Sequence, residues 1–85
     1  MADPRPVTLT LYSRTWCHLC EDMLAELRIL QIRQPFDLTV VDVNSQPELE
    51  QRFGERVPVL MHEEFELCHY HMNVVAVTDY LRDFR

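Results

Sequence analysis

Lysine is absent: all eight basic residues are arginines, set against 14 acidic residues, for a formal net charge of -6. Nucleic acids and anionic membranes are recognised through a basic footprint, so this balance argues against both as partners. Glycine occurs once, at Gly54, which leaves no glycine-rich loop to cradle a phosphate. No serine-nucleophile motif is present either. No apolar run approaches the roughly 18 residues that a membrane helix needs. Residues 1–6 carry two prolines and an aspartate where a signal peptide would have an apolar core. A cytoplasmic location is the expectation. Three cysteines always leave one over, so a disulfide scaffold is excluded. In a reducing compartment a close cysteine pair is more often redox-active or metal-binding than structural.

What is present suits a folded chain. With 85 residues, 47% hydrophobic and 26% charged, the sequence fits a single small globular domain over 1–85, with 1–6 a loose lead-in. Residues 7–12 alternate apolar and polar and are rich in β-formers, which predicts a strand. From His18 to Arg33 the spacing becomes helical, with Cys20, Met23, Leu24, Leu27 and Leu30 on one stripe and Pro35 as the stop. Residues 36–43 predict a second strand. Ser45-Gln46-Pro47-Glu48 has the form of a capping box, followed by a short helix that buries Leu49 and Phe53 and stops at Gly54. Residues 57–61 and 65–70 predict a hairpin of two strands. Asn73 is placed to cap a last helix with Val74, Val77, Leu81 and Phe84 on its stripe. The order β-α-β-α-β-β-α combines a βαβ unit with an antiparallel hairpin. One mixed four-stranded sheet with helices on both faces satisfies both.

The chemistry concentrates in Trp16-Cys17-His18-Leu19-Cys20, where strand gives way to helix. A cysteine at a helix start faces unpaired backbone N–H groups and the positive end of the dipole. Both favour thiolate, moving the pKa from about 8.5 toward 7 or below. Cys17 is therefore the expected nucleophile. Cys20, one turn on and on the apolar stripe, is the expected resolving thiol. His18, when protonated, would further stabilise the thiolate. Trp16 either contributes a contact surface or packs half-buried in the loop. Arg14 is the nearest cation before the pair, with an exposed loop arginine as its plain reading.

With these residues in hand, the chain resembles thioredoxin-fold proteins, and among them the small glutaredoxin-like proteins. Three features carry the resemblance: the Cys-x-x-Cys after the first strand, Val57-Pro58 before the third, and the order of elements along nearly the whole chain. It implies an α/β thioredoxin-like fold and thiol–disulfide oxidoreductase activity on a protein or small-molecule disulfide. It also implies a cis bond before Pro58 and a substrate strand pairing with the backbone of Val57. Trp16, His18, Val57 and Pro58 thus form the expected substrate-contact set, in a monomer without a cofactor. The sequence departs from true glutaredoxins in two places. Arg56 replaces the threonine of their Thr-Val-Pro segment, and residues 68–73 replace the glycine pair that helps hold glutathione as co-substrate.

A competing reading is a non-enzymatic protein- or metal-binding module, with zinc held by Cys17 and Cys20 together with Cys68 and His71. That spacing is not a standard finger. Cys68 otherwise fills an apolar slot or lies on the sheet surface.

Overall fold

A computed structural model describes residues 7–83. The predicted lead-in at 1–6 and Phe84 of the last stripe lie outside the described residues. Along the chain run β1 (Thr8–Ser13), α1 (His18–Arg33), β2 (Asp37–Asp42), a 3₁₀ turn (Val43–Ser45), α2 (Pro47–Phe53), β3 (Val59–His62), β4 (Phe65–His69) and α3 (Val74–Asp83). The predicted order of helices and strands is the observed one.

The strands form one sheet in the order β2-β1-β3-β4. β1 pairs parallel with β2, and antiparallel pairs join β1 to β3 and β3 to β4. A register shift between Leu60 and Met61 marks a bulge against β4.

Alternation along the strands divides the interior in two. Leu9, Leu11 and Leu60 point to one face, where they meet Met23, Leu27 and Leu30 of α1, Cys68, and Val77 and Leu81 of α3. Val59 and Met61 point to the other, against Val43 and Phe53, with Tyr12 and Leu49 at the margin. Helices thus cover both faces, because β1 and β3 each have apolar residues on each side.

Two local expectations are corrected. Ser45 does not cap α2: it belongs to the 3₁₀ turn, and its hydroxyl donates to the Asp42 carbonyl at 2.7 Å. The α2 N-cap is Gln46, without a side-chain cap bond, and Pro47 opens the helix. Gly54 does end α2, but in a right-handed conformation (φ -53, ψ -38). Its role is spatial, since a Cβ there would lie 2.5 Å from the Glu50 carbonyl oxygen. Asn73 caps α3 as predicted, its side chain accepting from the Ala76 N–H at 3.0 Å.

Candidate active site

Strand register brings three loops to one end of the sheet. Tyr12 lies opposite Val59, and Val59 opposite His69. The segment leaving β1, the segment entering β3 and the segment leaving β4 therefore meet there. They carry Trp16 and Cys17, Val57 and Pro58, and Tyr70 and His71.

Cys17 is the N-cap of α1, in an extended conformation. Its carbonyl accepts from the Glu21 N–H at 3.1 Å, and its Sγ accepts from the Cys20 N–H at 3.2 Å. One of the orphan donors of the helix start thus points at this sulfur. Cys17 and Cys20 are joined as a disulfide with Cα atoms 5.2 Å apart. Cys17 is half-buried, whereas Cys20 is only 5% exposed and turned inward. A reagent from solvent reaches the first sulfur before the second.

Trp16 has φ 61, a left-handed conformation that costs a bulky residue on the order of 1–3 kcal/mol. Its side chain is 98% exposed, which removes the reading of a packed loop aromatic. His18 is the first residue of α1 and is exposed. Val57 is half-buried, Pro58 is fully buried, and the bond between them is cis. The Pro58 carbonyl accepts from the Tyr70 N–H at 2.9 Å, tying the two loops together. Tyr70 itself has φ 63, and its hydroxyl donates to the Glu55 carbonyl at 3.0 Å. The turn after β4 thus uses a conformation that suits glycine, but with a tyrosine in it.

Two arginines do more than their sequence positions suggest. Arg14 is not a free loop cation. Its guanidinium donates to Asn44 Oδ1 at 3.2 Å, Glu50 Oε1 at 2.8 Å and the Gly54 carbonyl at 2.9 Å. It clamps the loop before Cys17 to α2. Arg56 reaches from the loop before Val57 to Glu66 on β4 and to the Arg52 carbonyl. Glu66 also bonds His69 Nδ1 at 2.9 Å. Burial pushes the Glu66 pKa up, but the hydrogen bonds from His69 and Arg56 outweigh it and hold the carboxyl below its ordinary value. The partners of Arg14 lie 30 to 40 residues away in sequence, so only the topology reveals them.

Cys68 fills the apolar slot: it is 9% exposed within the core shared with α1 and α3, and burial raises its pKa. The structure does not bring it to Cys17 and Cys20. Among the described residues no three His, Cys, Asp or Glu side chains are grouped to share a metal ion. Nor is any helix there long and apolar enough to cross a membrane.

Comparison with known proteins agrees with this geometry. A family model described as a glutaredoxin-like domain (DUF836) matches residues 8–82. The solution structure of protein Ne2328 from Nitrosomonas europaea is 38% identical, with a TM-score of 0.82 over 95% of this chain and 98% of that one. Protein XcR50 from X. campestris is 31% identical, with a TM-score of 0.67 over 88% and 96% of the two chains. Thioredoxin 1 from Thermosipho africanus, 21% identical with a TM-score of 0.61 over 89% and 96%, shares the fold. No curated protein matches. The chain belongs to the glutaredoxin-like domain family and has a thioredoxin-like fold.

Proposed function

We propose that this protein is a thiol–disulfide oxidoreductase. The observation that carries the reading is the unequal placement of its two sulfurs: Cys17 at the open helix start, accepting an N–H, and Cys20 buried behind it. In the reduced protein the Cys17 thiolate attacks a substrate disulfide. One substrate sulfur leaves as thiolate and the other forms a mixed disulfide with Cys17. Cys20, as thiolate, then attacks Cys17 and releases the second substrate thiol. The substrate gains two electrons, and the protein is left with the Cys17–Cys20 disulfide.

Trp16, His18, Val57 and Pro58 are the proposed substrate contacts, with the Val57 backbone pairing to an extended segment as the resemblance implies. The substrate is a protein or small-molecule disulfide, handled by a cytoplasmic monomer. Glutathione suits the site less well, because Tyr70 stands where the resemblance calls for glycine.

The test is alkylation of the reduced protein as a function of pH, alongside reduction of hydroxyethyl disulfide. Cys17 is expected to titrate below about 8.5 and to react ahead of Cys20 and Cys68. Cys17→Ser should abolish exchange, and Cys20→Ser should retain substrate as a mixed disulfide. An ordinary thiol pKa at Cys17 with no exchange overturns the proposal. So does stoichiometric zinc protecting both cysteines, which is the signature of the metal-binding alternative.

A further inference from the structure

A groove of about 470 Å³ lies between α1 and the loop that joins β4 to α3. Leu19, Asp22 and Glu26 form one wall and Tyr70, His71 and Met72 the other, with buried Met23 between them. Leu19 sits between the two cysteines in sequence, so the groove lies beside the first turn of α1, although neither cysteine lines it. Tyr70 bonds the Pro58 carbonyl, so the far wall is continuous with the proline loop. A side chain flanking a cysteine bound at Cys17 would reach this groove past Leu19.

The charges of the groove are one-sided. Asp22 and Glu26 are one turn apart on the same face of α1, a spacing that puts Cβ atoms about 6 Å apart. Both are exposed, and neither makes a hydrogen bond or ion pair among the described residues. The arginines of the neighbouring loops are engaged elsewhere, Arg14 with Glu50 and Arg56 with Glu66. No arginine lines the groove, and His71 is its one titratable nitrogen group. The whole-chain charge of -6 adds to the same field. Leu19, Tyr70 and Met72 meanwhile provide apolar surface along which the stem of a long cationic side chain can lie.

We propose that this groove selects the substrates of the exchange reaction by charge, favouring a disulfide-bearing peptide segment with arginine or lysine beside the reacting cysteine. The proposal rests on the oxidoreductase reading. It adds that Asp22 and Glu26 are specificity residues that attract a cationic flank and disfavour thiols with a net negative charge, glutathione included. The bonds made and broken are those of ordinary exchange. The groove acts on encounter and residence of the substrate, not on the sulfur chemistry.

The probes are symmetric disulfide dimers of three peptides, Gly-Arg-Cys-Arg-Gly, Gly-Gln-Cys-Gln-Gly and Gly-Glu-Cys-Glu-Gly. Each is reduced in a single turnover by pre-reduced protein at low ionic strength. The arginine dimer is expected to react faster than the glutamate dimer by on the order of tenfold, with the ratio shrinking as salt is added. In the double variant Asp22→Asn, Glu26→Gln the ratio should fall several-fold. The same charge change made away from the groove, Asp37→Asn with Glu48→Gln, should move it much less. A ratio near one in the wild type overturns the proposal. So does a ratio that both double variants change equally, because the general field would then explain it. The set of dimers separates the two levels: failure to reduce any of the three overturns the oxidoreductase reading. Reduction of all three with a ratio of one overturns only the role of the groove.

Discussion

At the scale of single residues, chemistry here follows from place. Cys17, Cys20 and Cys68 are the same side chain in three settings: a helix N-cap, the apolar stripe of that helix, and a core slot under the sheet. Glu66 shows the same dependence among the charged groups. It is held by Arg56 and His69, and its pKa lies below the ordinary value of 4.5. A carboxyl with a lowered folded-state pKa stabilises the fold fully above its unfolded pKa, and that contribution is lost as the pH falls through the folded value. Unfolding by denaturant, followed from pH 6 downward, should therefore show a loss of stability that begins near 4.5 and continues below it. Glu66→Gln should flatten this part of the profile while lowering stability at pH 6. A variant profile as steep as the wild type would mean that the loss belongs to other carboxylates.

At the scale of elements, two positions look alike in sequence and behave differently. Ser45 and Asn73 both precede helices and both are good cap residues. Asn73 accepts the Ala76 N–H, whereas the hydroxyl of Ser45 is drawn back to Asp42 by the 3₁₀ turn. Asn73→Ala should cost about 1 kcal/mol of stability and Ser45→Ala about half of that or less, measured by denaturant midpoints. Equal costs would contradict the assigned caps. The contrast also marks how far a sequence can be read. The strands and α1 were legible because their periodicity sums over many residues, and the dithiol because Cys17 and Cys20 sit at the strand-to-helix junction. The cap of α2 was not, because a turn of three residues decides it. Arg14, Arg56 and Tyr70 were illegible for another reason. The partners of Arg14 and Tyr70 are remote in sequence, Arg56 meets Glu66 only across the turn into β4, and a left-handed tyrosine follows from the loop it must close. Asp22 and Glu26 gain a shared role only once the β4–α3 loop is placed opposite them.

At the scale of the molecule, the two sides of the sheet are unequal. α1 and α3 share the larger core, and α2 rests on a smaller one made by Val43, Phe53, Val59 and Met61. A helix of seven residues has little stability of its own, so α2 depends on that packing. Its main anchor is Phe53, fully buried and stacked on Tyr12 with ring centroids 4.1 Å apart. Truncation to alanine would remove about 3–5 kcal/mol, against a usual total of about 5–15 for a whole domain. Phe53→Leu is the milder probe, keeping an apolar side chain in place. It should loosen α2 first, while Leu9 and Leu11 in β1 stay protected by the larger core. Because Arg14 bonds Glu50 and Gly54, the loop that leads into Cys17 should loosen with it. Amide hydrogen exchange checks this order. In Phe53→Leu, the α2 amides and those of residues 14–17 should open together, at a lower free energy than Leu9 and Leu11. If α2 keeps the protection of β1, the smaller core is not a separate unit. The clamp from Arg14 would then hold the active-site loop to a helix as firm as the sheet itself.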